Sequence, residues 1–263
     1  MPKFDVVVGS DSVPAYPRVR KIGPADLKDA LAKGSNDFLA MPSSLAFLGL
    51  IYPIVGFCLA GYALPLIFPL MAGFALIGPF AGLGLYEISR RRELGLETSW
   101  THAFSVVRSH SIFSILSLGL LLLLIFVAWM LTARALYTGL FGSTPPESLW
   151  QFITNVVGTS QGWKLFGYGT AIGFIFAVAA LSISVVSFPL LLDRDVEAPV
   201  AVQTSVKAVL SNPLTMALWG LIVAAMLAAG FLLLFAGLAV VVPILAHSSW
   251  HLYRRVVDWT GLR

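Results

Sequence analysis

Two long stretches of this chain carry no charge. From Phe38 through Tyr86, and again from Ala208 through Tyr253, there is no Asp, Glu, Lys or Arg. As one helix, each stretch would be about 70 Å long at ~1.5 Å per residue, more than twice the ~30 Å hydrocarbon layer of a bilayer. A hairpin of two spanning helices fits instead, with turn residues near the midpoints: Gly61 and Pro65 in the first stretch, Gly230 in the second. A third apolar pair lies between them, separated by a polar insert containing "GSTPPES". The predicted spans are 44–62, 65–88, 112–135, 166–190, 213–229 and 231–252.

Composition agrees with this pattern. Hydrophobic residues are 58% of the 263 and charged residues 11%, against roughly 25% charged in an ordinary soluble domain. In lipid the backbone has no water to bond, so it must satisfy itself in helices or in a closed barrel. The runs are too long and too little alternating for barrel strands. The expected fold is an all-α, polytopic membrane bundle: six transmembrane helices arranged as three hairpins (about 44–88, 112–190 and 213–252) within a 23–256 domain.

Of the 17 Lys and Arg residues, only Arg134 and Lys164 fall on one side of this arrangement; the rest collect on the other. The positive-inside rule therefore places both termini in the cytoplasm. Trp100, Trp250 and Trp259 fall near the inner boundary and Trp129, Trp150 and Trp163 near the outer one, whereas Trp219 lies within a span. The polar first 40 residues contain no signal-peptide core. Residues 1–22 read as a mobile cytoplasmic arm and 257–263 as a cytoplasmic tail. The single cysteine, Cys58, excludes a disulfide within the chain and a cysteine-based metal site.

A short amphipathic segment precedes each hairpin: "ADLKDALAKGSNDFLAMP", "TSWTHAFSVVRSHSIF" and "APVAVQTSVKAVLSNP". In the first, Leu27, Leu31 and Phe38 share one face and Lys28, Lys33 and Asp37 the other, as suits a helix lying in the headgroup layer. The closing helices also match. Pro79 is followed by Tyr86 and Arg90, and Pro243 by Trp250 and Arg254, at offsets of seven and eleven in both. The middle unit has Pro189, with its charges arriving early in "LLLDRDVE". This reads as three copies of one unit, an interfacial helix plus a hairpin.

Chemical candidates are few. Glu87 meets Arg90 and Arg91 at i+3 and i+4, a spacing that closes a local ion pair where the second span ends. His247 and His251 share a helix face at i, i+4, a spacing a metal or haem pair can use, but no carboxylate is interleaved in "HSSWHLYRR". These five are the candidate partner-binding or gating residues. No nucleotide loop, catalytic triad order or pair of catalytic carboxylates appears, so no enzyme activity, metal or other cofactor is expected. The serines of "ALSISVVSFP" either line a path or bond back to their own helix. The net charge of +4 is spent on the inner membrane face, so nucleic acid is not an expected partner.

"GPFAGLGLYEISRRRELG", with "WTHAF", "FPLLLDRDV" and "WHLYRRVVD", resembles a bacterial family of uncharacterised six-helix integral inner-membrane proteins. The resemblance covers roughly residues 22–256 and centres on Tyr86-Glu87 and Arg90-Arg91. It implies the fold and the compartment; no activity or site residue comes with it. Two functions follow as expectations. The first is a non-enzymatic scaffold or accessory subunit packing against lipid, another integral membrane protein or a second copy of the chain. The second is a permease for a small solute or lipid-like molecule, for which the helix-breaking prolines speak.

Overall fold

The computed structural model describes residues 17–43, 82–143, 146, 148–233 and 236–259. Nearly all of the first predicted hairpin lies outside them, and with it Cys58, Pro53, Pro65, Pro69 and Pro79.

The described chain is overwhelmingly helical. α1 is Pro24–Ala40, α2 Leu83–Glu93, and α3 the single turn Trp100–Ala103, continued by a 3-10 turn at Phe104–Arg108. α4 is Ile112–Phe141, α5 Leu149–Gly158, α6 Ser160–Ser184 and α7 Ser187–Asp193. α8 is Ala198–Ser211, α9 Pro213–Leu232 and α10 Leu238–Val256. Starts are set by local chemistry. The Ser148 hydroxyl accepts from the Gln151 amide at 3.1 Å before α5, and that of Thr159 from Gly162 at 3.0 Å before α6. Proline opens α1 and α9, where its missing N–H costs nothing.

Among the described residues, three helical segments are long and apolar enough to cross a membrane: Ile112–Phe141, Ser160–Asp193 and Pro213–Leu232. The molecule is an all-α membrane protein. The third and fourth predicted spans are longer than the sequence suggested, because the helices continue past Ala135 and begin before Phe166.

The last hairpin turns later than expected. α9 runs through Gly230 to Leu232, and the turn residues Ala236 and Gly237 lead into α10. The glycines serve close approach rather than the bend: a Cβ on Gly237 would sit 2.8 Å from Gly230 Cα. α10 therefore begins at Leu238 rather than 231, and its second half is buried against protein. Within the fourth span, α6 stops and α7 restarts at Val185–Val186. Pro189 accounts for the break, since its ring clashes with the carbonyl four residues back, at Val185. The Val186 amide, freed from its own helix by the break, donates to Ser205 Oγ of α8 at 3.2 Å, so the neighbouring helix braces the interruption.

The three closing helices, α2, α7 and α10, pack on one another, and the interfacial elements dock around them in a cyclic order. α3 and its 3-10 turn lie on α2, the closing helix of the unit before them. α8 lies on α6 and α7, again the preceding unit. α1, of the first unit, lies on α10, closing helix of the third. Glycines allow two of these dockings. A Cβ on Gly34 of α1 would stand 2.7 Å from Ser248 Cα of α10, and one on Gly84 of α2 would stand 3.1 Å from the Ala103 carbonyl oxygen.

Residues 17–22, read from the sequence as part of a mobile arm, are held. β1 (Arg18–Val19) pairs antiparallel with β2 (Val257–Asp258), and the Arg20 amide donates to the Val256 carbonyl at 2.8 Å. The Ile22 amide donates to Asn212 Oδ1 at 2.9 Å, while Val19 and Ile22 pack against the core. The physical reason is a ring whose first and third units touch: residues 18–20 meet 256–258, and the apolar side chains of Val19 and Ile22 find a surface to cover.

Candidate functional site

The ends of α1, α2, α7 and α10 meet, and their charged side chains pair across segments far apart in sequence. At the centre is Asp37, in the last turn of α1 and 7% exposed. Its Oδ1 accepts from Arg92 Nε at 2.8 Å, and its Oδ2 from Ser89 Oγ at 2.6 Å and from His251 Nε2 at 2.8 Å. Burial alone would push this carboxyl up, but the hydrogen bonds from His251 and Ser89, the charge of His251 and the bond from Arg92 outweigh it and hold the group below its ordinary value.

Ser89 and His247 are fully buried, with Ser89 Oγ 2.7 Å from His247 Nδ1. The one hydroxyl proton of Ser89 goes to ionised Asp37, so His247 donates from Nδ1 to Ser89. In the neutral ring this leaves Nε2 an acceptor, and among the described residues no donor reaches it. The chain Asp37–Ser89–His247 does not assemble a nucleophile: the hydroxyl is fully buried and its proton is committed to a carboxylate.

Two further groups complete this end. Glu87 is 4% exposed and takes two bonds from Arg90, Nε at 2.7 Å and a terminal nitrogen at 3.0 Å. Arg91 stands 3.9 Å from the same carboxylate and donates to the Glu97 carbonyl at 2.8 Å. The pair read from the i, i+3 spacing is present, but it is buried on the carboxylate side rather than free at a helix end. Arg254 of α10 then joins the other closing helices, donating to Glu93 of α2 at 2.9 Å and to Asp193 of α7 at 3.3 Å. Trp250 Nε1 and the Tyr253 hydroxyl reinforce those contacts, reaching Glu93 at 2.9 Å and Asp193 at 2.7 Å.

The five sequence candidates thus fall into two groups. Glu87, Arg90 and Arg91 stay together on α2. His247 and His251 face Ser89 and Asp37 in a buried knot. Asp37, Ser89, Arg92, Glu93, Asp193 and Arg254 were missed. Asp37 had one visible signal, as the last charge before an uncharged run, but its partner His251 lies 214 positions away. The three consecutive arginines Arg90, Arg91 and Arg92 divide among Glu87, the Glu97 carbonyl and Asp37. Among the described residues, no three His, Cys, Asp or Glu side chains come together as metal ligands.

Two open cavities flank the closing helices. The first, of about 490 Å³, lies between α1, α2 and α10 and is lined by Arg20, Lys33, Asn36, Asp37, Arg92, Glu93, His251, Arg254 and Arg255. The second, of about 410 Å³, lies between α2, α7 and the 3-10 turn, with Glu87, Arg90, His110, Asp193, Arg194 and Asp195 on its walls. They occupy corresponding places in the ring, each where an interfacial element meets its host closing helix and the next one.

Comparison with known proteins agrees with the membrane architecture. Searches of curated proteins and of solved structures found no match. A family model described as predicted integral membrane protein, DUF2189, matches residues 66–193, a narrower segment than the 22–256 expected from the motifs. It takes in α2 through α7 and the second cavity up to Asp193, and leaves out α1, α10 and the Asp37 knot's two histidines. Residues 66–193 are thus similar to a family of predicted integral membrane proteins whose function is unknown.

Proposed function

We propose that the protein is a non-enzymatic scaffold or accessory subunit of the bacterial inner membrane. In this reading six spans form three hairpins, both termini lie in the cytoplasm, and the bundle packs against lipid or another integral membrane protein. The carrying observation is the separation of polar from apolar side chains. Among the described residues most charged groups, though not Arg134 and Lys164, gather where the closing helices end, whereas the long helices turn large side chains such as Phe113, Leu131, Phe174, Leu221 and Leu232 outward. Hydroxyls along the spans bond to their own helices: Ser117 to Phe113, Thr132 to Ala128 and Ser184 to Ala180, at 2.7, 2.7 and 2.6 Å. Side chains spent in this way offer a solute no ladder across the bilayer.

A permease is the second reading, supported by the interruption at Val185–Val186, because transporters place binding sites at broken helices. The two separate by experiment. Native purification in mild detergent, followed by mass spectrometry, should recover a stoichiometric membrane partner or tightly held lipid. A cysteine placed at Val186 in a Cys58→Ala background should resist water-soluble thiol reagents from both sides; labelling there would favour transport and overturn the scaffold. Reporter fusions after Glu93 and Asp195 should read cytoplasmic and a fusion after Gly142 periplasmic, and the reverse pattern would overturn the orientation.

A further inference from the structure

We infer that the cavity between α1, α2 and α10 is a binding site for a phosphate group. Five cationic side chains line it, Arg20, Lys33, Arg92, Arg254 and Arg255, against only two carboxylates, Asp37 and Glu93. Asp37 does not repel an anion strongly, since Arg92, Ser89 and His251 already occupy its oxygens.

The cations have partners, but partners that yield. Lys33 and Arg255 both pair with Asp29, and Arg20 pairs with Asp258, neither carboxylate on the cavity wall. These pairs are exposed, with 44–50% of each cationic side chain in solvent. Exposed pairs contribute little and exchange readily for a better anion. Arg92 is the best placed of the five: Nε is committed to Asp37, and among the described residues its guanidinium makes no other hydrogen bond. A guanidinium carries five N–H donors in a planar fork that matches a phosphate's oxygens. In the orientation proposed above the cavity faces the cytoplasmic headgroup region, where basic side chains meet anionic lipid.

The second cavity is the internal contrast, because Glu87, Asp193 and Asp195 outnumber Arg90 and Arg194 on its walls. This inference does not depend on whether the spans serve as scaffold or permease. The phosphate can belong to a lipid headgroup or to a free phosphate compound, and the test separates the two.

Purified full-length protein in a non-ionic detergent is titrated at constant ionic strength with inorganic phosphate and, separately, with short-chain phosphatidylglycerol. Saturable binding of either probe is expected. Binding of phosphate alone identifies a soluble ligand, binding of the lipid alone a headgroup, and mutual competition a site that takes both. The Lys33→Gln, Arg255→Gln double variant, altered only at the exposed rim, should bind about tenfold more weakly. Arg92→Gln should do the same where it folds. Asp29→Asn, which frees Lys33 and Arg255, should bind more tightly, an effect of opposite sign that general destabilisation would not produce. Arg90→Gln, in the other cavity, should leave binding unchanged. The proposal is overturned by no saturable binding of either probe, by wild-type affinity in the rim double variant, or by equal weakening in Arg90→Gln.

Discussion

The two cavities at the charged end stand in corresponding places and are built in opposite ways. In the one beside α3, the central pair is local: Glu87 and Arg90 are one turn apart on α2. In the one beside α1, Asp37 is held by Ser89, Arg92 and His251, none nearer than 52 positions in sequence. Counted from the matching prolines, Glu87 stands where His251 stands and Arg90 where Arg254 stands. The same helix position thus carries a carboxylate in one unit and an imidazole in another. In the first case the helix supplies both charges itself; in the second it recruits an acid from the interfacial helix docked on it. A local pair can form before the ring closes. The Asp37 knot exists only after α1 has reached α10, so it reports closure.

The largest expected effect tests that closure. Gly34→Leu would drive a side chain into the Ser248 backbone and prevent α1 from docking on α10. The loss should exceed the ~1–3 kcal/mol of ordinary overpacking, because backbone rather than a flexible side chain is in the way. Gly84→Ala, at the matching interface with Ala103, should cost less, since contacts of 3.1 Å need only a small shift. Thermal unfolding in detergent ranks the two, and equal losses would break the comparison.

Next in size is Asp37→Ala. It leaves Arg92, Ser89 and His251 without their acceptor and should cost about 3 kcal/mol, in the range for breaking a buried pair. Glu87→Gln should cost less, about 1.5 kcal/mol, because the amide oxygen still accepts one bond from Arg90. That exceeds the ~0.2–0.5 kcal/mol of an exposed pair at this spacing, the difference being the burial of Glu87. Denaturant midpoints of the two variants should differ in this order.

Acid sharpens the contrast further. The Asp37 carboxyl lies below its ordinary value in the fold, so its contribution is complete above the normal carboxylate range and is lost as pH falls through the lowered folded value. Wild-type protein should therefore lose stability more steeply than Asp37→Asn below about pH 4. Parallel curves would mean that the knot carries no acid-sensitive stability. The smallest effect belongs to the rim: Arg255→Gln, removing an exposed pair with Asp29, should change stability by no more than ~1 kcal/mol.

Long uncharged runs, their length against a bilayer and the local Glu87–Arg90 spacing are properties of the chain itself, and hydrophobic transfer and helix geometry translate them into a helical membrane protein whatever the final packing. Pro189 likewise carried its break in the sequence, because the clash with Val185 is intrahelical. The later turn after Gly230 was not legible, since that glycine is needed for the approach of Gly237 rather than for bending, and both roles select the same residue. The held segment at 17–22 was equally hidden: a short polar stretch has no pattern until a surface exists for Val19 and Ile22 to cover. His247 and His251 looked unpartnered for the same reason. Only the docking of α1 on the last helix brings Asp37 to them, because burial of a polar group is tolerable only where distant partners converge, and that convergence is a property of the closed ring rather than of any segment in it.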